Sequence, residues 1–301
     1  MKSQMIKNQM KTILFLGLLS ALLVGLGGLV APGQLWLFGL LALALNLGAY
    51  FFSDRLVLRM HGARELPAQE APWLHRTVHD LSQRAGIPKP RVFLIPEAQP
   101  NAFATGRNPQ RGVVAVTQGI LDLLSDRELR GVLAHEIAHI KNRDILISSI
   151  AAALSTALTY LAHALSFSAL FGRSEDGEEG SPLGGILVAL VAPLAGTLVQ
   201  LGISRAREHV ADETAARLTG DPRALANALL RLEQGVALTN EHGLSEPQPA
   251  TASLFIVSPL FGGGSLSRLF STHPATEERV RRLLALERPG ELAAVLAGGL
   301  R

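Results

Sequence analysis

Residues 135 to 139 read HEIAH, two histidines four positions apart with a glutamate beside the first. On a helix, positions four apart stack on one face, so both imidazoles can reach one cation. Glu136 would then stand where it can take a proton from a water that the cation activates, which is the chemistry of metal-assisted hydrolysis. A surface helix carrying two unlinked histidines gives the same five letters, so the surroundings must decide. They are helical: Ser125 and Glu128 have the spacing of a capping box, Leu124 and Leu129 that of a hydrophobic staple, and Leu129, Val132 and Leu133 supply an apolar face.

A hydrolytic zinc site takes three protein ligands and keeps one position open for water. The third ligand must come from another segment, and ISRAREHVADETAARL at 203 to 218 offers Glu208. His139 lies six residues before one long apolar run and Glu208 five residues after the next. At roughly 1.5 Å per helical residue both sit within about 10 Å of the same bilayer surface. Asp212, four residues further on the same face, is placed to accept a proton from a ligand imidazole. His209 is a rival ligand, although it points about 100° away from Glu208 on a helix. Arg205, Arg207, Glu208 and Asp212 also fit a solvated face laced with intrahelical pairs. Ala206, Ala211, Ala215 and Ala216 would let this helix approach the first closely.

These segments hang on apolar runs at 12–30, 34–52, 145–171 and 182–203, and a membrane span needs about 20 apolar residues. The Ala31-Pro32-Gly33 break makes the first two a hairpin. A cleaved signal peptide is the alternative for the first run, because three lysines precede it, but its apolar core is too long and a second run follows at once. The second pair is richer in Ala, Ser and Gly, so a buried hairpin of a soluble core stays open there; length favours the membrane. Lys2, Lys7, Lys11, Arg55, Arg59 and Arg64 flank the first pair, whereas the loop at 173–180 carries four acids and one base. Lys and Arg mark the cytoplasmic side. Both termini and the segments 53–144 and 204–301 are therefore expected in the cytosol. The expected division is 1–54 as one transmembrane hairpin, 55–144 as a catalytic part, 145–203 as a second hairpin and 204–301 as the remaining catalytic part.

Composition agrees. The chain has 301 residues, 48% of them hydrophobic, and a mean hydropathy of +0.27, too apolar for an ordinary soluble protein. It has no cysteine, which excludes disulfides, thiolate metal sites and cysteine nucleophiles. A net charge of +3 without an arginine stripe among aromatics argues against nucleic acid as a partner.

The stretch PRVFLIPEAQPNAFATGRNPQRGVVAVTQGIL reads as short strands near 92–95, 101–105 and 113–117, with a turn at Asn-Pro-Gln-Arg-Gly. An edge strand here could pair with an extended peptide around Asn101 and Ala102. Asn101 also fits a plain strand-end turn. His273 precedes Pro274, which suits the first position of a helix over 275–287. A histidine at such an N-terminus is disfavoured as the cation, so neutral His273 could donate to an oxyanion, or simply cap the helix. Asp221-Pro222 starts a helix to about Gln234, and 238–271, with GGGS inside it, reads as a loop that could cover a cleft. The remaining histidines, His61, His75, His79, His163 and His242, are read as solvated or packed.

HEIAH, SRAREHVAD, PNAFATG at 100–106 and THP at 272–274 together resemble the HtpX group of membrane zinc metallopeptidases, relatives of the CaaX prenyl protease Ste24 and the mitochondrial protease Oma1. The resemblance covers nearly the whole chain. It implies an α+β membrane protein: a mainly helical gluzincin-type domain with a small β-sheet and about four transmembrane helices. It implies one zinc ion per subunit on His135, His139 and Glu208, with Glu136 as general base and Asp212 as helper. It also places Asn101 beside the bound peptide and His273 at the oxyanion. The activity implied is endoproteolysis of misfolded or surplus membrane proteins at the cytoplasmic face of a bacterial-type inner membrane. His209 departs from the group, which commonly has an aromatic residue there.

An intramembrane metalloprotease would carry its motif inside an apolar run, whereas SDRELRG and KNRD put charges on both sides of HEIAH. From another class, a nonproteolytic membrane adaptor with a structural metal would want a closed fourth ligand, which the sequence does not offer. A transporter would want ionisable groups inside its spans, and only His163 qualifies.

Overall fold

The computed structural model describes residues 32–151, 205–241, 255–256 and 274–287, with isolated positions between 10 and 25. Of the four expected spans, the second is described whole. It forms helix α1, Leu35–Met60, 26 residues long. Its length of about 39 Å at 1.5 Å per residue is enough to cross a bilayer. Eight residues past the expected end remain helical, because Ser53–Met60 contains no breaker before Gly62, which turns the chain at φ 57°. Trp36, Leu40, Leu43, Leu47 and Phe52 are at least half exposed along it, an apolar surface that water does not tolerate and lipid does. Asn46 Nδ2 donates to Ser20 Oγ at 2.7 Å, a contact between the first two apolar runs. The bulk of the third and fourth runs, 152–204, lies outside the described residues.

One side of the last turns of α1 is buried. Val57 and Leu58 pack with Phe93, Ile95, Phe103, Val113 and Ala115 against one face of a four-stranded sheet. The strands are β1 (Arg64–Glu65), β2 (Arg91–Ile95), β3 (Ala102–Thr105) and β4 (Val113–Thr117), in the order β1-β2-β4-β3. β2 and β4 are parallel, with Arg91 opposite Val113; β3 runs antiparallel to β4, with Ala102 opposite Val116. Side chains alternate between faces, so Val92, Ala102, Ala104, Val114 and Val116 point into a second core on the other side. β4 is buried along its whole length for that reason. The three strands expected from the sequence are all present; β1 is too short to show a pattern.

The second core is helical. Helix α2 (Pro72–Ala85), α3 (Gln118–Leu123) and α4 (Asp126–Asn142) cover the sheet, and α5 (Arg205–Thr219), α6 (Pro222–Glu241) and α7 (Thr276–Ala285) complete the layer. Leu74, Leu81, Leu129, Leu133, Ile137, Leu225 and Leu229 are among its fully buried members. Each such side chain contributes about 1.5–3 kcal/mol relative to exposure. α4 begins as expected, with Ser125 Oγ accepting from Glu128 N and the Glu128 carboxylate accepting from Ser125 N. Arg231 of α6 also donates to Glu128 at 2.8 Å, locking the two helices together.

Two expectations change. α6 runs to Glu241, seven residues beyond Gln234, so the first part of the expected loop is helix. Phe255 and Ile256, also within that loop, are buried. α7 begins at Thr276 with Ala275 as its N-cap, so Pro274 sits outside the helix and not at its first position.

Candidate metal and catalytic centre

α4 and α5 are packed face to face along buried Ala211, Ala215 and Ala216, the small residues that allow close approach. From α4, His135 and His139 direct their Nε2 atoms to one point, 3.0 Å apart. From α5, Glu208 closes on it, with Oε2 3.5 Å from His135 and Oε1 3.6 Å from His139. Among the described residues these three form the group able to hold a metal, with one donor atom from each within 4.8 Å of the others. Two imidazole nitrogens and one carboxylate are the donor set of an open hydrolytic zinc site. His135 and Glu208 are 1% and 6% exposed, so the face of α5 that carries Glu208 is core and not the solvated face its charges also fit.

Each imidazole is held from behind. His135 Nδ1 lies 2.9 Å from Oδ1 of Asp212, the residue one turn after Glu208. His139 Nδ1 lies 3.1 Å from Asp144 Oδ2, a partner the sequence reading missed. That contact depends on Arg143, which caps α4 in the left-handed region at φ 58° and turns the chain so that Asp144 returns under His139. A non-glycine residue pays for this conformation. Asp212 has a second partner, Arg279 of α7, with Nε and Nη2 at 2.9 and 2.8 Å. Arg279 is 1% exposed and also donates to Ile256 O at 2.8 Å. It too was missed, because in EERVRR it reads as one charge in a solvated run.

The electrostatics follow from these contacts. Burial disfavours charge on His139, but Asp144 and Glu208 outweigh it and push its pKa up to about 10. Burial likewise opposes His135, yet hydrogen bonds to Asp212 and Glu208 raise it. Asp212 is disfavoured as an anion by burial and rescued by Arg279 and His135, which bring it down to about 2. The pocket is therefore built to hold positive charge, whether on protons or on a cation.

Glu136 is 4% exposed and not among the metal-holding group. Burial raises its pKa, opposed by the charges of His135 and His139 and by a hydrogen bond from the backbone N–H of Ala104. A carboxylate raised toward neutrality is suited to take and return a proton. Its tie to Ala104 places it against β3, the edge strand.

Asn101 is buried, its backbone engaged with Thr117 and its side-chain oxygen accepting from Ile256 N at 3.3 Å. His209, the rival ligand, turns away to lie 3.6 Å from Glu278 of α7. His61 pairs with Glu97 at 2.9 Å and His75 with the Leu66 carbonyl at 2.8 Å, both as packed histidines. His273, His163 and His242 lie outside the described residues.

The profile of peptidase family M48 matches residues 68–287, a span that contains every residue of this centre. The chain belongs to peptidase family M48. Proteins named protease HtpX homolog align over almost the whole length: that of Sulfurihydrogenibium sp. (strain YO3AOP1) is 52% identical over 288 residues, covering 93% of this chain and 97% of that one. The Ralstonia pickettii (strain 12J) protein is 48% identical over 289 residues, covering 95% and 99%. The crystal structure of S. mikatae Ste24p shares the fold, with a TM-score of 0.51 at 20% identity over 94% of this chain and 67% of that one. This M48 chain is a membrane-bound metalloprotease, a hydrolase, and its apolar α1 agrees with the membrane.

Proposed function

We propose that this M48 protease is a zinc endopeptidase of the bacterial cytoplasmic membrane that degrades misfolded or surplus membrane proteins on the cytosolic side. The observation that carries the reading is the convergence of His135, His139 and Glu208 beside buried Glu136 at the edge of the sheet. His135, His139 and Glu208 would hold the metal, and zinc suits two imidazoles with one carboxylate. Bound there, it would polarise the scissile carbonyl and make water nucleophilic at neutral pH. Glu136 takes the water proton and returns it to the leaving amine. Asp212 and Asp144 orient the imidazoles. His273, carried from the family resemblance, would help to hold the oxyanion.

β3 supplies the bed for the substrate. Thr117 N donates to Asn101 O at 2.9 Å, so in the antiparallel alternation Asn101, Phe103 and Thr105 turn their main-chain groups to β4. Ala102 and Ala104 then turn theirs away from β4, on the side where an extended peptide would pair with Ala102 next to Glu136. Asn101 ends that edge and ties it to Ile256.

Multi-pass topology with four spans, and cytosolic placement of 53–144 and 204–301, are part of the same proposal and rest on the Lys and Arg flanks. The test is cleavage of a detergent-solubilised membrane protein by purified enzyme with zinc, beside Glu136→Gln and a chelator control. Wild-type cleavage lost in both controls is expected. A Glu136→Gln enzyme that binds zinc and still cuts would remove Glu136 from the mechanism.

A further inference from the structure

We propose that the enzyme measures its cut from the bilayer: in a membrane-anchored substrate the scissile bond lies about one to three extended residues beyond the hydrocarbon boundary, at roughly 3.3 Å per residue. The proposal rests on the peptidase reading and on β3 as the substrate edge. Its basis is the height at which the fold fixes that edge above the lipid.

Two independent markers set the height. The first is α1, a continuous helix whose uncharged apolar stretch ends at Phe52, with Asp54 and Arg55 next. Its final turns are not free to swing, because Val57 and Leu58 are buried in the sheet face formed by Phe93, Ile95, Phe103, Val113 and Ala115. The loop after β3 reaches back down the same helix: the Arg107 guanidinium stacks on the Phe51 ring, 5.2 Å from its centroid. A cation over an aromatic ring at the end of an apolar stretch is the arrangement of a membrane–water interface.

The second marker is the start of the third apolar run. Asp144 is its last charged neighbour, and Ser149 lies one turn inside, its Oγ donating to Ile145 O at 2.7 Å. Thr105, the last residue of β3, shares a hydrogen bond of 2.6 Å with that Ser149 Oγ, both groups being fully buried. The C-terminal end of β3 is thus pinned to lipid-entry points of two different helices.

Ala104 is the neighbour of Thr105 and donates to Glu136. The reacting position therefore lies one to three strand residues from the surface markers, about 3–10 Å. A peptide paired along β3 runs toward the strand end at Thr105, beside which both markers lie. A segment still anchored in the membrane can reach Glu136 only within its first few extended residues, and a folded domain held further out cannot reach it without being pulled down.

The experiment uses the full chain with zinc in vesicles of phosphatidylcholine and phosphatidylglycerol. The substrate has one apolar span joined to an unstructured tail of identical hexapeptide repeats, made with the tail before or after the span. Every distance from the bilayer then offers the same local sequence. The detached tail peptide serves as control, and cut positions are read by mass spectrometry. Cuts concentrated in the repeat nearest the span in whichever orientation is cleaved, against even cutting of the detached tail, are expected. Even or distal cutting of the anchored tail would overturn the ruler. So would an intact anchored tail beside a cut detached one, and either result leaves the peptidase reading standing. If neither substrate is cut, the peptidase reading fails and the ruler falls with it.

Discussion

Arg279 grips both carboxylate oxygens of Asp212 at 2.8 and 2.9 Å, while Asp212 lies 2.9 Å from Nδ1 of His135. A residue of the last described helix thus orients an imidazole of the HEIAH helix through one buried carboxylate. The C-terminal segment is joined to the candidate metal centre and is not an appendage to it.

Arg279→Met should weaken zinc binding by about 10–100-fold, the usual cost of losing a partner behind a ligand. It should also destabilise the protein by about 3–5 kcal/mol, since it strands a buried carboxylate. Adding Asp212→Asn removes the stranded charge and should restore much of the stability but not the zinc affinity. Competition with a chromophoric chelator and thermal melting read the two effects separately. Unchanged affinity in Arg279→Met would confine Arg279 to packing.

Asp144 makes the corresponding case for His139. Asp144→Asn keeps the shape but removes the charge that, with Glu208, lifts His139. Zinc affinity should fall by about tenfold, and the metal-free protein should melt at a lower temperature near neutral pH, because His139 loses the buried partner that holds it charged. Equal affinity for the variant and the wild type would show that Asp144 only caps α4.

Much of this centre was legible in the sequence. Four-residue spacing pairs His135 with His139 and Glu208 with Asp212, because a helix repeats its faces locally; Glu136 stands beside the first histidine, Glu208 was placed by its height past the fourth apolar run, and the alanines of α5 announce a close neighbour. The capping box and the three strands are equally local signals. Asp144 escaped because its contact depends on a left-handed turn at Arg143, where glycine is the residue that sequence patterns expect. Arg279 escaped because its partner lies 67 positions earlier in the chain, a distance that no periodicity spans. The hydrogen bond of Ala104 to Glu136 is made by backbone, so no residue type could signal it.

Gly131 sets a test of packing against propensity. In a helix interior Gly→Ala gains about 1 kcal/mol from propensity alone. Here a Cβ would stand 2.8 Å from Leu225 N and 3.0 Å from its Cα, backbone atoms of α6 that cannot rotate away. Overpacking of this kind costs about 1–3 kcal/mol. Gly131→Ala should therefore lower the melting temperature, and because α4 carries the histidines it should lower activity too. A stabilised Gly131→Ala protein would mean that α6 yields easily at this crossing.

The acid limb of stability gives the last test. Arg279 and His135 hold Asp212 down to about 2 in the folded protein despite its burial, against about 3.9 for an unfolded aspartate. A group whose folded pKa is depressed contributes stability in full above its unfolded value, and the contribution is lost as pH falls through the folded one. The metal-free wild type should therefore lose stability between about pH 4 and pH 2, where Asp212 takes up its proton on unfolding. Asp212→Asn has no such proton to bind. Urea unfolding across pH 2–6 should show the wild type well ahead of Asp212→Asn above pH 5, with the gap narrowing steadily toward pH 2. A constant gap over that range would mean that the Asp212 side chain stabilises the fold by its shape and hydrogen bonds, with its charge contributing nothing.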